Sequence, residues 1–474
     1  MGQKETNVEN HRSPGFAQLL LSVPLALSLV LGAASAGRAQ PGSLTQLGRP
    51  DACTVVGGDG INCRDGIGLE GAADVEVSPD GQNVYVASYV SSVVRVFTRD
   101  FTTGALTALD GPGGCIADVG DDVTCADAEG LYGASGVAVS PDGLHVYVAS
   151  TVSASLTAFT RDAFTGALTQ LPLPDGCIAQ DGGGGSDCLD ADGPIAPSAV
   201  VVSPDGLNVY TVGVNGDAIG VFARDPLTGQ LTQLPAPFGC IADNGDGVTC
   251  TDGIALDGPR SLAITKNGKH VYVASTDSDA IAVFRRDFAT GALTQVAAPG
   301  GCIAENGDGI TCTDAVGLDG ASSIVVPRNG KHVYVASVVN DSLTTFVRDP
   351  MSGALQQLPA PDGCLRQNGD GIACTAVEGL NNALGLVATR NGRHLYVASA
   401  SSDAIAVFRR NKATGVVGQL AAPAGCYRQG GDNVTCTNAL ALNGATAVAV
   451  TKSGKSVYAV SFSGGSIASF LREQ

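Results

Sequence analysis

Every 62 or 63 residues this chain returns to the same pair of cysteines, and it does so seven times. The pairs are Cys53 and Cys63, Cys115 and Cys125, Cys177 and Cys188, Cys240 and Cys250, Cys302 and Cys312, Cys364 and Cys374, and Cys426 and Cys436. Two aromatic ladders keep the same beat, one of tyrosines from Tyr85 to Tyr458 and one of phenylalanines from Phe97 to Phe470. A repeat of this length is one supersecondary unit that cannot bury its apolar face alone, so the units must stack on one another.

Within a unit the pattern predicts four short strands. In the fourth, RSLAIT (Arg260 to Thr265) reads as strand A and HVYVAS (His270 to Ser275) as strand B. AIAVFRRD follows as strand C and ALTQV as strand D, with turn residues between them. Gly104, Gly166, Gly229, Gly291, Gly353 and Gly415 recur at the C to D turn, where a positive φ is expected. Strand A is apolar almost throughout, as expected if both faces of each sheet pack on neighbours standing radially around a channel. The expected fold is therefore an all-β, seven-bladed propeller of four-stranded antiparallel blades with seven disulfide-closed hairpin insertions. Its last unit stops after strand C, and Gly42-Ser43-Leu44-Thr45 aligns with Gly104-Ala105-Leu106-Thr107. The N-terminal strand should thus complete the last blade and remove two exposed sheet edges. The tail from Arg472 to Gln474 reads as dispensable.

The recurring SPDG-x-x-VYVAS, followed by VF-x-RD-x-x-TGALTQL, resembles the repeat of the lactonase family of seven-bladed propellers. That family includes 6-phosphogluconolactonase-like and carboxymuconate-cyclase-like proteins, and the repeat is also similar to YVTN-type repeats of exported and surface-layer proteins. The likeness runs from about Gly42 to Leu471 and rests on turn and core residues. It implies the propeller, with lactone chemistry at the channel mouth as an expectation. The cysteine-bearing insertion between strands D and A departs from the family pattern.

Residues 1–39 differ from the rest. A polar start with Lys4 and Arg12 leads into an apolar run from Phe16 to Ala36 that ends Ala34-Ser35-Ala36. This reads as a signal peptide ahead of a propeller spanning 40–474, with an uncleaved membrane anchor as the alternative; on the first reading the mature chain is expected to be secreted or periplasmic without a membrane span. An oxidising compartment suits a local disulfide in every insertion, worth about 3 kcal/mol each on the loop-entropy argument. Zinc fits poorly, because no His lies near a Cys pair.

Lys plus Arg number 27 against 45 Asp plus Glu, so nucleic acid and anionic lipid are not expected as main partners. A monomer that meets a small molecule, a protein or a glycan on its loop face is expected. No cofactor is required; calcium at the acidic insertion tips, such as Asp121-Asp122, Asp243 to Asp246 and Asn306 to Asp308, is the candidate ion, although the spacing falls short of the EF-hand pattern and turn chemistry alone explains the Asn-Gly and Asp-Gly pairs. His145, His270, His332 and His394 share one repeat position, and a structural role is expected for them.

A ring enzyme must break its own symmetry to assemble one set of acid, base and charge-stabilising groups. Three charges do so near strand A. Glu76 stands where other units carry Ala or Val, Asp74 where they carry Gly, Ala or Ser, and Arg260 where they carry small or apolar residues. Two readings follow. Asp74, Glu76 and Arg260 form a channel binding site, or Glu76 simply pairs with Arg95, which is also unique to its unit. At the level of function, an exported binding or cell-envelope module leads, with a lactonase-like hydrolase or cyclase as the alternative.

The exported protein is expected to lack its first 36 to 39 residues. Intact-mass measurement checks this, and a mass that includes Met1 would refute it.

Overall fold

A computed structural model of the chain describes residues 40–120, 123–180, 187–193 and 196–474, with Gly2. The leader reading and the Asp121-Asp122 tip lie outside the described residues. From Gln40 onward the chain forms one unit of seven sheets with antiparallel A, B and C strands. Blades one to seven begin at Ala72, Ala134, Pro197, Pro259, Ala321, Ala383 and Ala445.

Blade four shows how each is built. Strand A spans Pro259–Ile264, B His270–Ser275, C Ala280–Arg286 and D Leu293–Gln295. Two more segments join the same sheet, E at Cys302–Glu305 and F at Thr313–Ala315. Strand C is long enough to serve two partners: Ala280 to Ala282 pair with E, whereas Phe284 to Arg286 pair with D. The outer position of each blade is therefore shared, and the insertion belongs to the sheet of the blade it follows. Its disulfide is present in all seven blades, with sequence separations of 10 or 11. Inside the insertion the flanks run parallel, Ile303 beside Thr313 and Ala304 beside Asp314. The chain doubles back around Asp308, whose Oδ1 accepts from the amides of Ile310, Thr311 and Cys312.

Apolar burial lies between blades. Tyr210, Val212, Ile219 and Val221 of blade three meet Leu262, Val271, Val273 and Phe284 of blade four in one cluster, and this arrangement repeats around the ring. Each cluster ends in a polar staple. Tyr210 donates its hydroxyl to the Gly291 carbonyl at 2.7 Å and accepts from Arg286 Nε at 2.8 Å. Arg286 is fully buried and also meets Asn208 and, at 2.8 Å, Asp205. The C to D glycine is dictated twice over. Gly291 has φ 86°, and a Cβ there would lie 2.0 Å from Asn208. The tyrosine-to-glycine bond recurs at all seven junctions.

Closure uses both chain ends, as expected, and more of them than one strand. Leu44–Gln46 pairs with Ser466–Arg472 as strand D, and Cys53–Val55 and Arg64–Asp65 supply E and F of blade seven. Tyr396 of blade six donates to the Gly42 carbonyl, so the N-terminal segment carries the glycine of that junction. The expected dispensable tail is corrected here. Arg472 is buried, its Nη1 donates to the Gly454 carbonyl at 2.9 Å, and its Nη2 lies 3.3 Å from His394 Nδ1.

Removing Arg472 to Gln474 should therefore destabilise the ring by about 3–5 kcal/mol, the usual effect of deleting a member of a buried charged network. Removing Lys455's charge by Lys455→Gln should shift melting hardly at all, since Lys455 is exposed. Thermal melts of the two variants check this, and equal melting temperatures would refute it.

Candidate functional site

The A strands of all seven blades surround a central channel of about 820 Å³. All seven antiparallel A–B ladders carry a bulge after the first residue of strand A that leaves Ala73, Ser135, Ser198, Arg260, Ser322, Leu384 or Thr446 unpaired. A bulge re-aims a side chain. At four junctions the re-aimed group is a hydroxyl that ties its blade to the next. Ser198 Oγ donates to the Pro259 carbonyl at 3.3 Å and Ser322 Oγ to that of Ala383 at 2.7 Å. Ser135 and Thr446 do the same toward blades three and one.

Arg260 takes the bulge position in blade four. It is exposed, lines the channel, and makes no hydrogen bond or ion pair among the described residues. Across the ring, Asp74 Oδ1 accepts from the Val75 amide at 2.8 Å and Oδ2 from the Val137 amide of blade two at 3.0 Å. Ser261 Oγ performs that junction task in blade four, accepting from Ile324 at 3.3 Å. Asp74 is thus a positioned carboxyl whose oxygens are both engaged; burial raises its pKa against the pull of those two amides.

Glu76 makes no hydrogen bond or ion pair among the described residues, although it lines the same channel. Loss of water around it, and then the neighbouring Asp74, push its pKa up to about 8. Its surface is partly reached from the channel, yet protein surrounds the carboxyl closely enough for desolvation to dominate. Glu76 is therefore largely protonated at neutral pH, and the channel carries one cation, Arg260, among its lining residues. Tyr89 of blade one and Phe462 of blade seven border the mouth, their rings 6.1 Å apart. They fall outside both aromatic ladders, and that departure from the repeat is the signal that could have singled them out.

The pairing of Glu76 with Arg95 is not found. Glu76 stands opposite Tyr85 and Val96, whereas Arg95 stands opposite Val86 and, through it, Val75. Successive residues of a strand point to opposite faces, so the two charges lie on opposite sides of blade one. Arg95 instead donates Nη1 to the Gly114 carbonyl at 2.7 Å, beside the loop that carries Asp110, and burial lowers its pKa. The structure thus brings Asp74, Glu76 and Arg260 to one channel and leaves Arg95 outside it.

The insertion tips and the histidines have other work. Asp246 Oδ1 accepts from the amides of Val248, Thr249 and Cys250, and in the equivalent Asp59 and Asp432 such bonds hold the pKa at about 2. These carboxylates organise their own loops, and no group of three or more potential metal ligands occurs among the described residues. His145, His270 and His332 place Nδ1 at 2.6 Å, 2.7 Å and 2.8 Å from the staple arginine of the next blade. Burial and that arginine lower the pKa of His270 and of His332 to about 4, so both are neutral acceptors, in keeping with the expected structural role.

Residues 187–305 match the family described as "Lactonase, 7-bladed beta-propeller". The fold is similar to that of a candidate 6-phosphogluconolactonase from Bacteroides fragilis, with 21% identity, a TM-score of 0.52, and coverage of 73% of this chain and 82% of that one. It is also similar to a candidate 6-phosphogluconolactonase from Bacteroides uniformis, with 22% identity, a TM-score of 0.50, and coverage of 73% and 82%. The periplasmic gluconolactonase PpgL of Pseudomonas aeruginosa is similar at 18% identity and a TM-score of 0.50, with coverage of 73% and 84%. At these identities the likeness is one of fold. No curated protein matches the sequence. The resemblance to the lactonase-type propeller seen in the repeat therefore holds.

The raised pKa of Glu76 has a consequence for stability. The unfolded chain releases this proton near 4.5, the folded chain only near 8. Stability due to Glu76 is thus fully present below pH 4.5 and falls as pH rises toward and through 8. Glu76→Gln, which cannot ionise, should gain on the parent over that window by a few kcal/mol in order of magnitude. Melting curves at pH 5 and pH 9 check this; a constant difference between the two proteins would refute it.

Proposed function

We propose that the chain is an exported, lactonase-like hydrolase that opens a small lactone at the mouth of its central channel. The observation that carries this reading is Glu76, a carboxyl without a protein partner among the described residues, poised near neutral pH in the channel that Arg260 also lines. A general base works best when its pKa lies near the working pH, so that it is both available and able to return its proton. In ionised form Glu76 takes a proton from water as the water oxygen bonds to the lactone carbonyl carbon. The tetrahedral oxyanion would be stabilised by Arg260. The ring C–O bond then breaks, and protonated Glu76 delivers the proton to the departing ring oxygen. Tyr89 and Phe462 offer apolar surface to the substrate at the mouth.

The channel volume falls in the range of small-molecule sites. A single lining cation favours a neutral or singly charged lactone over a phosphorylated one. Export is supported by the leader-like residues 1–39 and by seven disulfides, which form in oxidising compartments. A second reading, as a binding or cell-envelope module, draws on the insertion tips. Ile61, Val248, Ile310, Ile372 and Val434 are exposed at one repeat position on disulfide-held loops.

In a screen of small lactones corrected for spontaneous hydrolysis, kcat/KM for a turned-over substrate should rise with pH through about 8 and then level. Glu76→Gln should remove that limb and lower kcat by about 10²–10⁴-fold. Arg260→Ser should abolish turnover without lowering the melting temperature, since serine at this bulge ties blades together elsewhere. Turnover that survives both substitutions would refute the hydrolase, and a screen without any turnover would leave the binding reading in its place.

A further inference from the structure

The two ends of the ring differ in charge, although the chain as a whole is strongly acidic. Strand E ends beside the first residue of strand C, as Ala304 does beside Ala280, so the insertions share the channel-mouth end with the B to C turns. The A to B and C to D turns form the opposite end. There the A to B turn of one blade touches the C to D turn of the next. Lys269 Nζ donates to the Met351 carbonyl at 3.0 Å, and Asn329 Nδ2 to that of Lys412 at 3.4 Å.

On this opposite face the A to B turns change character between blades three and four. Blades one to three read SPDG and carry Asp80, Asp142 and Asp205. Blades four and five carry Lys266 with Lys269 and Arg328 with Lys331 at the two positions flanking that site. Blades six and seven continue with Arg390 and Arg393, then Lys452 and Lys455. None of these cations makes an ion pair among the described residues, and all but Lys269 are well exposed. The C to D turns of this half carry three carboxylates, Asp287, Asp349 and Glu473; Asp287 and Asp349 accept from the amides of their own turns, and blade six has Asn411 at that position.

A second observation lies beneath the first. Asp80, Asp142 and Asp205 each neutralise a buried staple arginine, Arg161, Arg224 and Arg286. In the later blades Asn267, Asn329, Asn391 and Ser453 replace the aspartate, so Arg348, Arg410, Arg472 and, across the seam, Arg99 keep their charge without an ion-paired carboxylate. The same face also presents large apolar side chains on its C to D turns. Phe164 is 90% exposed and Leu227 88%, and Met351 stands out similarly in blade five.

We propose that this face docks on an anionic lipid bilayer, with the basic crescent of blades four to seven against the headgroups and Phe164, Leu227 and Met351 entering the interfacial layer. The flat end of a ring suits a planar surface. Unpaired cations attract anionic headgroups, and protruding aliphatic and aromatic residues gain by leaving water at the same boundary. A soluble polyanion would use the first feature and leave the second unexplained. Docked this way, the channel mouth and the disulfide loops face the aqueous side, so the inference stands whether or not the channel hydrolyses a lactone.

The test is vesicle co-sedimentation of the exported form beginning at Gln40, which contains every strand of the closed ring. Vesicles of phosphatidylglycerol with phosphatidylcholine should bind it at low salt, and phosphatidylcholine vesicles should not. Each cation at an anionic surface contributes about a fivefold factor. The combined variant Arg328→Gln, Lys331→Gln, Arg390→Gln, Arg393→Gln should therefore weaken binding by about 100-fold or more with melting unchanged. Phe164→Ser with Leu227→Ser should weaken it as well, by about tenfold. Absence of binding to the anionic vesicles, equal binding to both vesicle types, or an undiminished four-site variant would overturn the proposal. Full vesicle binding by the Phe164 and Leu227 variant, with polyphosphate competing as well as lipid, would overturn it in favour of a soluble polyanion.

Discussion

The ring rests on a buried guanidinium shared between blades. Each blade is a narrow sheet whose outer position is divided between two short segments, and neighbours cohere through apolar faces that would slide without directional contacts. The staple supplies direction. Arg286 enters the junction fully buried, finds a tyrosine hydroxyl, an amide oxygen and a carboxylate, and leaves the tyrosine free to donate to the glycine of the next turn. A buried charge is costly unless most of its donors are satisfied, so these partners must be present together. This explains why a glycine, a tyrosine, an arginine and a His or Asn recur in step with the cysteines. It also explains why both chain ends are needed: Gly42 and Arg472, from opposite ends of the chain, meet Tyr396 and His394 of blade six at one junction.

Sevenfold repetition makes departures informative. A residue that six blades do without is not required by the staple, the bulge or the core, and its presence calls for a local reason. Arg95 has one, because it reaches the Gly114 carbonyl in a blade whose D to E loop folds as a short 3-10 turn at Pro112–Gly114. Asp74 has a partial one, doing with a carboxylate what Ser261 does with a hydroxyl. Glu76 and Arg260 have none within the ring. The exchange of Asp for Asn or Ser in the later A to B turns is a departure of another kind, spread over adjacent blades, and it changes the field of a whole face instead of a single site.

Much of this was legible in the residues and some was not. Blade number, disulfide pairing, the glycine turns and closure by the N-terminal strand followed from spacing alone. The division of the outer strand did not, because segments as short as LTQ and CIA carry no periodicity that distinguishes two half-strands from one strand and a loop. Glu76 and Arg95 looked like partners because both were unique to one unit, but only the cross-strand register reveals that they occupy opposite faces. The basic crescent was hidden by arithmetic. A total of 45 acids against 27 bases averages over the two ends of the ring, and turn residues read for their conformational role were not read for their charge.

The bulge in strand A links stability to chemistry most directly. It turns one side chain per blade out of the ladder, and where that side chain is Ser or Thr the channel wall is tied to the next blade. Blade four gives up this tie, since Arg260 stands there without a protein partner among the described residues. A hydroxyl bond of this kind is worth about 1 kcal/mol, and a cation left solvated in the channel returns nothing to the fold in exchange. Glu76 works the same way in blade one, replacing an apolar residue with a carboxyl that burial resists ionising. Both substitutions weaken the ring and both open onto the same channel. Residues kept at a cost to stability are the ones expected to meet something from outside the fold.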